Sequence, residues 1–439
     1  MAILRTRFGR HIESLGRLTA VALILSLAFS SPIPTYAYSV LTHEAIIDSL
    51  WEVAIKPLLL ARFPNATEDE LKDAYSYAYG GAIVADAGYY PFGNKFFSDL
   101  LHYVRSADFV ESLIRDSSNL NEYAFALGAL AHYAADNNGH RLAVNLAVPI
   151  LYPKLERKYG HQVTYDQSPG AHLKTEFGFD VVQVAKGHYA PESYHHYIGF
   201  NVSKPLLEEG IRDTYCLELS SVFSDYDLAI GTFRRSVSTI IPKMTQVAWQ
   251  ERKEDIQKDL PGMVRKQFIY NLSRADYERQ WHNLYRHQSF GTRFLAFVLR
   301  LVPKVGPLRA LTFRIPTPET EKMFMASFNA TLEQYKQLLR EDAASGRVEA
   351  PNTNLDTGVV TGPGEYPLAD KTYADLLDHL SKNHFANVSP DLRETLLAYY
   401  SNPAAPFATK KDKREWAKVL AEVDDLRSST PVSRTAPSQ

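Results

Sequence analysis

Fourteen histidines stand in this 439-residue chain against a single cysteine, Cys216. Their placement relative to acids is what bears on chemistry. His132 and Asp136 lie four apart in Ala131-His132-Tyr133-Ala134-Ala135-Asp136, a helical run, so both side chains share one face and can grip one ion. His172 and Glu176 repeat the spacing. His140 follows Asp136 by four residues, but Asn137-Asn138-Gly139 intervenes and is expected to break the helix, bringing His140 from the turn beyond it. Upstream, His43 opens the first expected helix, Asp86 ends the apolar run Ile83-Val84-Ala85, and His102 follows Asp99-Leu100-Leu101. One such His-acid pair is ordinarily a surface ion pair, and one such group in an apolar setting is ordinarily a satisfied core residue. Eight of them between residues 43 and 176, most on apolar helical faces, are costly to bury without a cation. One cysteine leaves nitrogen and oxygen as the donors, which suits zinc or a similar divalent ion.

The elements that must carry these residues read as helices. Thr42 is expected to cap a helix running to about residue 61, before Pro64. Thr67-Glu68-Asp69-Glu70 is a capping box that opens a second helix toward Ala87. Apolar periodicity predicts further helices over about 95–115, 119–136, 142–158, 169–185, 218–260 and 318–342, with shorter ones near 370–383, 389–401 and 410–427. No alternating strand set and no internal repeat is present. Gly346 to Pro367, rich in Gly, Pro, Asn and Thr, reads as a linker. A content of 45% hydrophobic and 22% charged residues supports a sizeable core and excludes global disorder. A net charge of −2 argues against nucleic-acid binding by bulk charge alone. Cys216 alone can form neither an intrachain disulfide nor a cysteine metal cage.

The N-terminus has the pattern of a targeting segment. Arg5, Arg7, Arg10 and Arg17 precede an uncharged stretch, Leu18–Phe29, too short to span a bilayer comfortably. Pro32, Pro34 and the small residues Thr35 and Ala37 follow, so residues 1–37 are expected to be a signal peptide cleaved before Tyr38. A short membrane anchor is the competing reading.

The order His43, Asp86, His102, His132-x3-Asp136, His140, His172-x3-Glu176 resembles the zinc-dependent phospholipase C family and its structural relatives, the S1/P1-type nucleases. The resemblance covers about residues 38–200. It implies an all-α fold whose trinuclear zinc cluster hydrolyses phosphodiesters. By that resemblance, Tyr38 ligates one zinc through its α-amino group and carbonyl, where the family usually has Trp, together with His43. Asp86, His102, His132 and Asp136 are implied to hold a second zinc, with Asp136 bridging to the first, and His140, His172 and Glu176 a third. An amide nitrogen has no lone pair to offer zinc, so the unprocessed precursor is expected not to complete the Tyr38 site. Family members usually have five residues between the helical Asp and the next His, whereas three separate Asp136 from His140. Ala87 and Asp99 stand where the choline-recognising phospholipases have aromatics. The spacing of Tyr38 and His43 is nuclease-like, and Glu176 is phospholipase-like. The implied chemistry is attack by a water that zinc acidifies, with Asp86 as general base.

The sequence therefore predicts an all-α, exported (secreted or periplasmic) zinc phosphodiesterase of phospholipase C type, with up to three zinc ions. Its expected organisation is a signal peptide over 1–37, a helical domain over 38–345, and a linker, short helices and disordered tail over 346–439. The expected substrate is a phosphodiester, with phospholipid ahead of nucleic acid or nucleotide. A third reading is a secreted helical protein stabilised by metal without catalysis. No protein partner is inferred. From Arg279 to Pro318 there is no acid, and arginines alternate with Trp281, Phe290, Phe294, Phe297 and Phe313. That window suits contact with an anionic membrane surface or, as the blander alternative, a solvated basic face with its aromatics turned inward.

Overall fold

A computed structural model describes residues 39–186, 188, 200–241, 244, 248 and 312–430. Tyr38, the expected signal peptide and residues 279–311 of the basic window lie outside the described residues. Among the described residues the fold is all-α, with no strand and one isolated antiparallel bridge between Asn354 and Val359. No described helix is long and apolar enough to cross a membrane.

At the centre two helices cross at close range: α3, Glu68–Val84, and α6, Leu120–Gly139. Small residues make the approach possible. A Cβ on Gly81 would sit 1.9 Å from the Phe125 carbonyl oxygen, and one on Gly128 would sit 2.1 Å from that of Ala78. Ala74, Ala78 and Ala82 of α3 and Ala124, Ala131 and Ala135 of α6 are buried as well. The capping box forms as expected: Glu70 N–H donates to the Thr67 hydroxyl, and Thr67 N–H to the Glu70 carboxylate. Asn119 caps α6 by accepting from Glu122 N–H at 3.0 Å.

The first helix, α1 (Val40–Leu50), continues through a π-helical turn at Trp51–Ile55 into α2, Lys56–Arg62. Thr42 does not cap it. Ser39 holds the N-cap position, and Thr42 lies buried in the first turn, donating to Asp180 Oδ1 at 2.8 Å. The stretch expected as one helix over 95–115 is two: α4, Lys95–Tyr103, and α5, Ser106–Asp116, parted by Arg105 at φ 51°. After α6, α7 (Asn145–Leu151) and α8 (Pro153–Tyr159) lead to α9, Pro169–Ala185, whose limits match the sequence reading. Then come α10, Lys204–Tyr215, the short α11, Leu219–Val222, and α12, Tyr226–Arg235.

The 28-residue helix α13, Pro318–Ser345, lies along α6, where Tyr335 OH donates to the Leu127 carbonyl at 2.8 Å. Just before it, Phe313 is buried and packs edge-on against Phe177, and Arg314 lies 5.9 Å from the Tyr152 ring. The described end of the basic window thus turns inward. The last helices, α14 (Pro367–Ser381), α15 (Pro390–Tyr399) and α16 (Lys413–Ser428), gather around Asp370, which accepts from Tyr399 OH at 2.6 Å and Ala408 N–H at 2.7 Å. His379 of α14 stacks on Phe96 of α4, docking this group onto the site-bearing helices.

Candidate metal centre

The candidate ligands arrive on six elements. His43 comes from the first turn of α1, Asp86 from the bend after α3, His102 from the end of α4, and His132 and Asp136 from α6. His140 opens the π-helical turn that follows α6, and His172 and Glu176 lie on one face of α9. All eight are buried. They fall into three groups whose donor atoms lie within 4.8 Å of one another: His43, His132 and Asp136; Asp86, His102 and His132; and His140, His172 and Glu176.

Hydrogen bonds on the far side of each ring fix which nitrogen faces inward. His102 Nδ1 is 2.7 Å from the Ser98 carbonyl, His132 Nδ1 is 2.9 Å from that of Ala82, and His172 Nε2 is 2.7 Å from that of Val163. A carbonyl only accepts, so each of these nitrogens carries a proton and the other nitrogen is the one that faces the pocket. The close contact of α3 with α6 therefore has a function: it brings the Ala82 carbonyl against His132.

The spacing between the inward atoms tests whether a metal fits. His102 Nε2 lies 3.4 Å from His132 Nε2, 3.3 Å from Asp136 Oδ2 and 3.5 Å from Asp86 Oδ1, and His132 Nε2 is 3.3 Å from Asp136 Oδ2. Charge-assisted hydrogen bonds would draw such atoms closer, to about 2.7–2.9 Å. Four donors at ~2.0–2.1 Å from a tetrahedral zinc are separated by about 3.3–3.4 Å, the edge of that tetrahedron. The other oxygen of Asp136 lies 3.5 Å from His43 Nε2, so this carboxylate faces two groups at once. Both oxygens of Asp86 and of Asp136, and Nδ1 of His140 and of His172, are buried without a hydrogen-bond partner in the protein. A divalent cation satisfies such atoms, and the residues present fit zinc.

Electrostatics agree with that fit. Burial pushes the Asp86 carboxyl up to about 6. Burial, aided by the neighbouring His132, lowers His43 to about 3, and burial with His140 does the same to His172, so both imidazoles are neutral at neutral pH. Burial would also discharge His102 and His132, but Asp136 and Asp86 outweigh it and hold both above the ordinary histidine range. Burial favours a protonated Asp136 too, and the charges of His132, His102 and His43 overcome it and keep that carboxyl well below normal. Protons on the rings thus occupy the positive role that a bound cation takes over.

The expected break at Asn137-Asn138-Gly139 does not occur. Helix α6 runs through it to Gly139 and continues as a π-helical turn over His140–Val144. The two asparagines do not cut the helix because their side chains bond back to it: Asn137 Nδ2 to the Tyr133 carbonyl at 2.8 Å and Asn138 Nδ2 to that of Ala134 at 2.9 Å. The short interval from Asp136 to His140 follows from this continuity. Four residues of α-helix turn about 400°, which leaves His140 about 40° around from Asp136 on the same side. Six residues, the interval that the resemblance implies, would carry it about 240° around an unbroken helix. His140 meets His172 at a ring-centroid distance of 5.7 Å.

Asp99, at the position of the missing aromatic, is held by Lys95 Nζ at 2.6 Å and by Tyr89 OH at 3.0 Å. One residue at the centre was not foreseen. Asp356, in the segment expected as a linker, is buried with Oδ1 3.1 Å from His140 Nε2. Burial raises its carboxyl, but His140 and His102 outweigh that and lower it to about 2. The linker reading fails here because the segment is pinned: Leu355 N–H donates to the His102 carbonyl at 3.0 Å, Thr353 to Asn137 Oδ1 at 2.7 Å, and Ser106 to the Thr353 carbonyl at 2.7 Å. No local spacing marks Asp356, since the imidazoles it meets, His140 and His102, lie far earlier in the chain.

Residues 42–225 match the family described as zinc dependent phospholipase C. No curated protein and no solved structure matches the chain. The matched segment contains the eight clustered residues and ends well before Asp356.

Proposed function

Because residues 42–225 carry the domain of the zinc-dependent phospholipase C family, a family of phosphodiester hydrolases, we propose that this chain cleaves phospholipids at the phosphodiester, in the pocket lined by His43, Asp86, His102, His132, Asp136, His140, His172 and Glu176. The observation that carries this reading is the set of 3.3–3.5 Å separations around His102, His132, Asp86 and Asp136. Zinc bound there supplies Lewis acidity toward a phosphoryl oxygen and lowers the pKa of water.

The chain's own groups divide the remaining work. Asp86 is the proposed general base, a buried carboxylate that faces the pocket beside His102. Asp136 stays ionised and balances cationic charge on two sides. The carbonyls of Ser98, Ala82 and Val163 keep three imidazoles in the tautomer that points a lone pair inward. The sequence of residues 1–37 supports export.

The test is a zinc count on the purified protein followed by parallel assays on phospholipid vesicles and single-stranded DNA. Two or three zincs per chain, release of phosphorylated head group, and a loss of about 10²-fold or more in Asp86→Asn are expected. Cleavage of DNA with phospholipid untouched would move the substrate to nucleic acid. A zinc-loaded protein inert on both would leave the metal a structural role only.

A further inference from the structure

The segment that brings Asp356 to the cluster is built to do so. The bridge between Asn354 and Val359 closes a tight turn, in which Gly358 N–H donates to the Asn354 carbonyl at 2.8 Å. Asn354 Oδ1 accepts from Asp356 N–H at 2.9 Å. Gly358 has φ 68°, and a Cβ there would lie 2.4 Å from the Asn137 carbonyl oxygen, so the turn rests directly on α6. Asn145 Nδ2 holds the Asp356 carbonyl at 2.8 Å.

The carboxylate itself is fully engaged. Oδ2 accepts from Tyr103 OH at 2.7 Å and from Tyr366 OH at 2.5 Å. Oδ1 faces His140 Nε2 at 3.1 Å. The opposite nitrogen of that ring, Nδ1, is buried and without a hydrogen-bond partner, as is Nδ1 of His172. His172 has its Nε2 proton held by a carbonyl, and His140 has the same arrangement with a carboxylate in the carbonyl's place.

We propose that Asp356, supplied from outside the matched family domain, is the positioning residue of the third metal site: it accepts the Nε2 proton of His140 and turns Nδ1 toward an ion shared with His172 and Glu176. The inference rests on the zinc reading of the cluster. An imidazole backed by a carboxylate is a better donor than one backed by a carbonyl, and it holds one ring orientation. Two phenols fix the carboxylate in turn. The region after α13 thus completes a site whose ligands all precede it.

The test compares zinc content and competition with a graded series of chelators for the full chain and for Asp356→Ala and Asp356→Asn. Wild type is expected to hold three zincs. Asp356→Ala should lose one and keep two at unchanged affinity, with the helical circular dichroism signal retained. Asp356→Asn keeps the shape and an acceptor oxygen but not the charge, so its weakest site should loosen by roughly 10-fold, within the 10–100-fold range typical of such partners. It also serves if the alanine variant fails to fold. A purely structural role would not remove one ion of three selectively. Three zincs at wild-type affinity in either folded variant overturns the inference while leaving the proposed function intact. A wild-type protein without a third zinc overturns the inference and the three-site reading together.

Discussion

Replacing Gly128 by alanine sets two well-measured effects against each other. In an isolated helix the change favours folding by about 1 kcal/mol, because alanine is the better helix former. Here the new Cβ would sit 2.1 Å from the Ala78 carbonyl oxygen, a rigid backbone atom of the neighbouring helix. Relief to an ordinary contact, 3.4 Å or more, requires α3 and α6 to part by more than an ångström. Overpacking of this kind costs about 1–3 kcal/mol, and the upper end applies because neither backbone can rotate away. The net expectation is a loss of ~2 kcal/mol, read as a fall in Tm of roughly 2–4 °C in a chain of this length. The same displacement lengthens the 2.9 Å contact between the Ala82 carbonyl and His132 Nδ1, so zinc affinity should fall alongside Tm. Thermal denaturation with zinc analysis of Gly128→Ala gives both readouts. A raised Tm with unchanged zinc would show that intrinsic propensity decides this position and that the crossing does not orient His132.

Removing metal should destabilise the whole protein. Binding at a thousand times Kd contributes about 4 kcal/mol per site, so excess chelator should lower Tm by roughly 8 °C or more, and an unchanged Tm would exclude metal from the folded state. Asp180 provides a pH signature. Burial pushes its carboxyl up to about 7, above its unfolded value, so its stabilising contribution is complete below about pH 4 and disappears as pH rises through 7. Asp180→Asn, which can still accept from Thr42, should therefore gain stability relative to wild type between pH 5 and pH 8 by up to a few kcal/mol. Equal pH profiles from chemical denaturation would exclude this role. Finally, N-terminal analysis of the exported protein is expected to find Tyr38 first, and a start several residues away would remove its amine from the cluster.

Short-range patterns were the legible part of this chain. The pairs His132/Asp136 and His172/Glu176 announce themselves because an i, i+4 spacing on a helix is a statement about one face. The Thr67 capping box is equally local. What the pattern hid was compensation at a distance. Asn137-Asn138-Gly139 has the composition of a helix stop, but its amides bond back to Tyr133 and Ala134, and α13 lies against it with Gln334 accepting from Asn138 at 2.6 Å. Thr42 looks like a cap from sequence, yet Ser39 lies one turn earlier and Asp180 accepts the threonine hydroxyl. Asp356 sits in linker-like composition, and its role depends on contacts with Tyr103 and His140 that no local spacing encodes.

The π-helical turn at His140–Val144 works as a phase adjuster between two halves of the molecule. Upstream of it, α6 keeps strict α-helical register for His132, Asp136 and His140. Downstream, Asn145 must face the Asp356 turn to hold its carbonyl. One residue fewer in that stretch would restore ordinary α-helical winding, because a π-helical turn is one extra residue absorbed into an α-helix with the phase on either side kept. Helix α6, its ligands and Asn145 would hold their places. A single-codon deletion within 141–144 is therefore expected to be tolerated, whereas the same deletion in a helix without such a turn would rotate everything beyond it by about 100°.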